Sequence, residues 1–493
     1  MPMSVFAAAA TVAPHAGPYL AGAAPSTPLG PFADSAVAWT AWVTLMGFVG
    51  LTALALTAAG PAAHRLGRGS APSNGTPNGT SNRHGDGHGT HTSSGHTTHT
   101  SNGDGTHTPT PLATVTTRLA RAATLLGALA VPAILTDLAH SAAGGSGYDY
   151  GAAWHSLYDG SNDGLLAGLE VTLIAAGALL LAPLALRSLA GGPARRPLLV
   201  AGLAAGTVAL GTTKFPDAAP DDWGRTVFET AMWMLHLIGG AVWLGGLAGL
   251  ALLAAPGAVA ATDRGAFWSP AIRRFSAAAM GCVAAITLSG LFLYWEHVDG
   301  PTQLLTTMYG RVLGVKILIF GTLLVLGAFN QFWLHPRLDA LRAAGDDRPL
   351  RTLLVREFPV VVTLETLLGL SLLFVAPFLH GSARNQAYQA GLAKHSDVAA
   401  DALPKLAQKT ASTSTWLLGT AETLAVAAVL VAGYWYSGVL ARRRTSAATA
   451  AAAGPVANSA NSAAFAKSAN SVSAGPTAPG ASTGTATPDE AGV

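Results

Sequence analysis

Stretches of about twenty predominantly apolar residues recur along the whole chain, and they constrain the fold more than any other feature. A run of about that length crosses the hydrocarbon core of a bilayer as a helix. Only 11% of the residues are charged, whereas a soluble domain carries about 25%. The sequence therefore predicts an all-α, polytopic helical membrane protein, and we expect it to lie in the plasma (inner) membrane.

The hydrophobic pattern predicts about nine spans, of which the fourth is the shortest. They lie near 37–59, 118–138, 165–186, 197–213, 226–254, 274–295, 312–334, 358–379 and 416–440. The second to fourth spans form an N-terminal group within residues 111–225.

The side of each connecting segment follows from its Lys and Arg content. Arginine-bearing segments follow the first, third, fifth, seventh and ninth spans, while the other short segments are acidic or nearly neutral. By the positive-inside rule, segment 1–36 is extracytoplasmic, loop 383–415 is extracytoplasmic and the C-terminus lies inside. Residues 1–36 contain no Lys or Arg, so we expect no cleavable signal peptide.

Two low-complexity segments, 60–110 and 441–493, are predicted to be a disordered cytoplasmic loop and a disordered cytoplasmic tail, because neither has enough apolar surface to fold. The loop is rich in histidine, which can bind soft or borderline metal ions in a flexible tract. We expect a weak cytoplasmic metal buffer, although the loop can equally be a simple spacer. Its histidines are His84, His88, His91, His96, His99 and His107.

A stripe of polar and sulfur-bearing side chains runs down the fifth span, in "FETAMWMLHLIGGAVWLGGL". At helical spacing Glu229, Met232 and His236 share one face, which continues through Gly240 and Trp243. Thioether sulfur suits Cu(I), and imidazole suits copper in either oxidation state. The stripe predicts a metal site above a glycine-rich packing face. In the alternative interpretation, His236 forms a hydrogen bond between helices and Met232 fills space.

Further candidate ligands gather at the same predicted outer edge. "YWEHVDGP" supplies Glu296 and His297, and "TTMYGR" supplies Met308. "FLHGSARN" adds His380, and Glu365 lies deeper in the eighth span. Each residue alone is an ordinary interfacial side chain, but their coincidence on one side predicts capture of a metal ion.

Several classes of protein lack support in the sequence. There is no GxxxxGK[ST] pattern, no intramembrane Cys-Pro-Cys and no DKTG motif, which argues against P-loop ATPases and P-type pumps. No hydrolase motif is present, and the dispersed basic residues give no support for nucleic-acid binding. We therefore expect a protein that is not an enzyme.

Ordered strings from residue 226 to 382 resemble the copper resistance protein D family of bacterial inner-membrane proteins. The matching strings are "LHLIGGAVWLGGL", "RRFSAAAMG", "LSGLFLYW", "TTMYGRVLGVKILIFGTLLVLGAFNQFWLHPRL" and "REFPVVVTLETLLGLSLLFVAP". The resemblance implies copper uptake at the plasma membrane, alongside a periplasmic or extracellular copper-binding protein of the C type. His236 is the first residue to which it assigns a metal role.

The main hypothesis is therefore transport of a copper ion, captured by Met308, Glu296 and His297 and passed to Met232 and His236. Flow down a gradient, or proton coupling through Glu365, would drive it. One alternative is a factor that delivers copper to a respiratory oxidase. The other is a membrane b-type cytochrome, which needs two histidines facing each other at similar depth.

Overall fold

A computed structural model shows a helical protein with no β-strand among the residues that it describes. These residues are 32–69, 110–144, 147–216, 218–255, 257–260, 263–334, 336, 357–379, 381–393, 406 and 409–470. The helices are α1 Phe32–Leu54, α2 Gly60–Gly69, α3 Pro111–Ala142, α4 Tyr150–Ser156, α5 Asn162–Leu181, α6 Arg187–Ala190, α7 Arg195–Thr212, α8 Trp223–Ala254, α9 Arg264–His297, α10 Gln303–Thr306, α11 Met308–Phe329, α12 Glu357–Val375, α13 Ala383–Ala393 and α14 Thr413–Asn470.

Eight of the described helical segments are long and apolar enough to cross a membrane, which confirms a multi-pass membrane protein. They are Ser35–Leu66, Pro111–Ala142, Asn162–Ala185, Trp223–Ala254, Ala266–His297, Met308–Trp333, Leu364–Leu392 and Thr413–Leu440. The predicted fourth span, 197–213, is present as the helix α7, which is not among the eight. Its 18 residues extend about 27 Å, and two arginines and a proline occupy its first turn.

Local sequence signals fix where several of these helices begin. Short polar side chains accept a hydrogen bond from a backbone N–H in the first turn, as helix N-caps do. Thr110 caps α3, Ser161 caps α5, Asp222 caps α8 and Thr307 caps α11. The caps place the start of α8 only a few residues before Glu229.

The first span is the central helix of the bundle. α1 packs against α3, α7, α8 and α12, and Phe48 and Val49 on it are fully buried. A π-helical turn, Ala55–Ala59, joins α1 to α2. The residues buried at the C-terminal end of α1 and in the following turn are mostly alanines. Their small side chains let neighbouring helices come close.

A direct backbone contact joins α1 to α8. A Cβ atom on Gly50 would overlap the carbonyl oxygen of Ala241 and the Cα of Gly245, and a Cβ on Gly245 would meet the backbone of Gly50. Small residues at a helix crossing allow this backbone contact inside a membrane. The glycines predicted to be a packing face on α8 therefore have that role.

The last helix, α14, continues beyond the predicted end of the ninth span at residue 440. It remains helical to Asn470, and alanine, the strongest helix former, dominates residues 447–453. The chain divides into two compact units, Met1–Gly438 and Val439–Val493. The predicted disorder of 60–110 falls largely on residues 70–109, outside the described residues.

We expect Gly50→Ala to weaken the bundle, because even one methyl group has no space at the crossing. Overpacking of this kind costs about 1–3 kcal/mol. Thermal unfolding of the detergent-purified protein should therefore occur at a lower temperature. Gly314→Ala is the control, because a Cβ on Gly314 meets nothing within 4 Å. An unchanged melting temperature for Gly50→Ala would contradict the described crossing.

Candidate functional site

Charged side chains from two antiparallel helices meet where α8 begins and α9 ends. We call this group, formed by Arg225, Glu229, Glu296, His297 and Lys409, the polar end. The Nε of Arg225 donates to Glu229 Oε1 at 2.5 Å, and its Nη2 lies 3.6 Å from Glu296 Oε1. A single guanidinium thus holds two neighbouring carboxyl groups.

A second set of contacts closes the polar end from the side of α13 and α14. Arg225 Nη1 donates to the carbonyl oxygen of Lys409 at 2.7 Å. The Nζ of Lys409 donates to the carbonyl of Trp295 at 3.1 Å and lies 3.3 Å from Asp299 Oδ1. The Nε of Arg384 donates to the same Asp299 oxygen at 2.8 Å. Three acidic side chains therefore face three basic ones.

His297 connects the polar end to α11. Its ring stacks on Tyr309 with 5.9 Å between ring centres, and its Nδ1 donates to the carbonyl oxygen of Leu293 at 2.9 Å. Met308 is the first residue of α11 and is half-buried. The structure thus brings Glu229, Glu296 and His297 together and places Met308 beside the tyrosine that stacks on His297.

His236 lies about 10 Å deeper along α8 than Glu229, at 1.5 Å per residue. Its Nδ1 lies 3.0 Å from the hydroxyl of Ser289 on α9. That hydroxyl donates its one proton to the carbonyl oxygen of Ala285 at 2.6 Å, so it accepts from the histidine. Nδ1 of His236 therefore carries the hydrogen, and Nε2 keeps its lone pair.

Two methionines lie near the histidine on the stripe side of α8. Met232, one turn from His236, is half-buried. Met46, a buried residue of α1, places its methyl group against Gly240, one turn on the other side of His236. Met234 instead contacts α7 at Gly211, so it faces away from the stripe.

No group of three or more His, Cys, Asp or Glu side chains in the described ranges is arranged to hold a metal ion. Glu229, Glu296 and His297 lie close together, but both carboxyl groups already form ion pairs with Arg225. Methionine is not one of these four residue types, so a metal site formed by Met232 and His236 stays a prediction. His380 and the six loop histidines lie outside the described residues.

Several residues of the site were missed in the sequence. Arg225 stands four residues before Glu229, a spacing typical of helical ion pairs, so this signal was available. Lys409 and Arg384 reach the site from distant segments, and Ser289 and Met46 lie on other helices. Nothing in their local sequence marks these four residues as partners of the stripe.

Lys214, which follows α7, extends the charge pattern beside the stripe. Its Nζ lies 4.4 Å from the centre of the Trp233 ring, a cation–π contact that favours the charged amine. Burial acts in the opposite direction and is the larger effect, since it lowers the pKa of Lys214 from 10.5 to about 8. The amine therefore loses its proton more easily in the folded protein.

Comparison with known proteins identifies matches in the second half of the chain. Residues 269–379 match the family model described as Copper resistance protein D. The "Copper transport protein CutJ" of Bacillus subtilis (strain 168) is 36% identical over 96 residues, which are 20% of this chain and 17% of that protein. The "Copper resistance protein D" of Pseudomonas syringae pv. tomato is 30% identical over 146 residues, 29% of this chain and 46% of that protein.

These matches cover less than half the length of either curated relative. No solved structure matches the chain. The family model begins after α8 ends, so it includes Ser289, Glu296, His297 and Met308 but not His236 or Met232.

We predict that the protein becomes more stable, relative to a Lys214→Met variant, as the pH rises from about 8 to 10.5. The unfolded chain still binds the lysine proton in that interval while the folded chain has released it, so stability rises with pH. The stabilisation is fully present above the unfolded pKa of 10.5 and is lost as the pH falls through about 8. The full difference corresponds to about 3 kcal/mol, and melting temperatures of both proteins across this range measure it. Parallel curves for the two proteins would contradict the burial of this amine.

Proposed function

We propose that this chain, whose residues 269–379 match the family model described as Copper resistance protein D, transports copper ions across the plasma membrane. The observation that carries the proposal is the hydrogen bond from His236 Nδ1 to Ser289. With the hydrogen on Nδ1, Nε2 of this intramembrane histidine retains its lone pair, and Met232 lies one helical turn away along α8. The names of the two relatives, one for copper transport and one for copper resistance, support the same cargo.

The polar end is proposed as the entrance. Glu229, Glu296 and Asp299 attract cations, but three basic side chains balance them in the described arrangement. An entering ion must therefore displace Arg225 from its two carboxyl groups. Cations that bind weakly cannot displace Arg225 and are excluded. An ion that binds the carboxylates, His297 or Met308 more tightly than Arg225 binds the carboxylates can enter.

The stripe is proposed as the first internal site. Copper, as Cu(I), suits the soft sulfur of Met232 and the imidazole nitrogen of His236. Neither ligand carries a negative charge, so electrostatic attraction adds little to the binding of the ion. Lys316 on α11 interacts electrostatically with His236. A positive charge on Lys316 repels a bound cation and so speeds its dissociation.

Inward movement from this site is proposed to deliver copper to the cytoplasm, where the histidines of the 60–110 loop would buffer it. A periplasmic or extracellular copper-binding protein of the C type is the proposed donor. The same outward-facing site would also serve a factor that supplies copper to a respiratory oxidase, so oxidase activity is a necessary second measurement.

The test compares cell-associated copper in cells expressing wild type, His236→Ala or Met234→Ala at matched levels. We expect wild type and Met234→Ala to accumulate copper above the empty-vector level and His236→Ala to fall back to it. Met234 is the matched control because it lies on α8 but contacts α7. Less copper with wild type would reverse the proposed direction. Equal copper in all strains, with loss of oxidase activity on deletion, would replace transport by oxidase assembly.

A second prediction concerns Ser289 as a positioning residue. In a Cys282→Ala background, which removes the single thiol, Ser289→Ala should weaken binding of Ag(I), a stable analogue of Cu(I). Loss of the group that orients a metal-binding histidine costs about 10- to 100-fold in affinity. Thr287→Ala is the control, because Thr287 makes the same type of hydrogen bond to α9's own backbone without contacting His236.

Nitrogen NMR of labelled histidine separates positioning from general damage to the fold. We expect the proton on Nδ1 of His236 in wild type and Thr287→Ala, and a mixture of tautomers in Ser289→Ala. Ser289→Thr retains the hydroxyl and should restore binding. Equal affinities for Ser289→Ala and Thr287→Ala would remove Ser289 from the proposed site.

A further inference from the structure

A cavity of about 420 Å³ lies in the half of the bundle opposite the polar end. It is partly open and is lined by the C-terminal half of α8, the N-terminal half of α9, the end of α11 with the π-helical turn Asn330–Leu334 that follows it, α12 and α14. Trp243, the last residue of the stripe, forms part of its wall. Because Trp243 follows His236 by seven residues, the cavity begins about 10 Å below the histidine. The stripe therefore leads from the polar end into this space.

Most of the cavity wall is apolar, and its few polar groups come from α8, α9, the π-helical turn Asn330–Leu334 after α11, and α12. Glu365 on α12 is only 4% exposed, and its Oε2 accepts from Asn330 Nδ2 at 3.4 Å. Oδ1 of Asn330 is buried without a hydrogen-bond partner. Two acceptor groups, a carboxyl and an amide carbonyl, therefore line one cavity, and the amide oxygen has no hydrogen-bond partner.

The charge of Glu365 has no basic partner among the salt bridges that join described residues. A carboxylate buried at membrane depth is costly unless a proton or a cation compensates it. Intramembrane carboxyl groups that face a cavity commonly mark ion pathways. The acceptor atoms and the free volume together favour a cation that visits the cavity.

The remaining wall suits a soft monovalent cation. The thioether of Met280 lines the cavity, and such sulfur is a ligand for Cu(I). The rings of Trp243 and Trp268 also line it, and the face of a tryptophan attracts a cation. The first shell of water around an ion can enter with it, because the volume exceeds that of a single water molecule many times.

We propose that this cavity is a second, inner cation site, in which Glu365 and Asn330 supply oxygen ligands and Met280 supplies sulfur. The cation is the soft monovalent ion released from His236, so the identity of the ion rests on the proposed function. The site itself rests on the cavity, the buried carboxyl and the unpaired amide oxygen. An ion moving inward would pass from neutral ligands to a charged one, which favours movement in that direction.

The test counts Ag(I) ions bound to the full-length protein by isothermal titration calorimetry in detergent, in the Cys282→Ala background. The variants are His236→Ala, Glu365→Gln and the double variant. We expect each single variant to bind one Ag(I) fewer than the parent and the double variant to bind two fewer. Met280→Leu, which keeps the volume, should weaken the inner site about 10-fold without changing the outer one.

Glu422→Gln is the matched control, because Glu422 is a glutamate of the α14 span that is absent from the cavity wall. It should bind as many ions as the parent. If Glu365→Gln also binds as many, the inner site is refuted and Glu365 carries only a proton. If His236→Ala alone binds as many, the outer site of the proposed function fails while the inner one stands. Melting temperatures near that of the parent confirm that each variant is folded.

Discussion

The backbone contact between Gly50 of α1 and Gly245 of α8 is the constraint on which the described arrangement depends. Lipid provides no hydrophobic force that drives two apolar helices together, so close packing of small residues has to do so. This crossing seats α8 against the most buried helix of the bundle. It thereby holds the lower part of the stripe against α1, with Met46 over Gly240.

The fixed position of α8 arranges three polar regions along one helix. The polar end lies at its start, His236 lies about two turns deeper, and Trp243 opens onto the cavity about two turns further. Each step is about 10 Å. Under the proposed function, a cation that moves along the stripe is stabilised at these three described positions. The polar end has balanced charges, His236 and Met232 are the proposed neutral ligands, and the cavity contains a carboxyl group.

The sequence identified the candidate ligand residues better than it identified the side chains around them. The spacing of Glu229, Met232 and His236 placed them on one face of the fifth span, whereas the cap at Asp222 came from the structure. Sequence spacing showed nothing of Arg225 holding both glutamates, since Glu296 belongs to another helix. Glu365 was recognised as an unusual intramembrane charge, but its pairing with Asn330 required two helices to be placed side by side.

The sequence by itself determined the helical membrane fold, the approximate spans, the resemblance of residues 226–382 to a known family and the stripe on α8. These follow from local properties: hydrophobic length, the 3.6-residue period and ordered motifs. The tertiary structure decided which atoms face each other: Ser289 on His236, Tyr309 on His297 and Asn330 on Glu365. Such pairs depend on how helices distant in the chain pack, because small residues fix the crossing points and residue spacing within one helix carries no information about its neighbours.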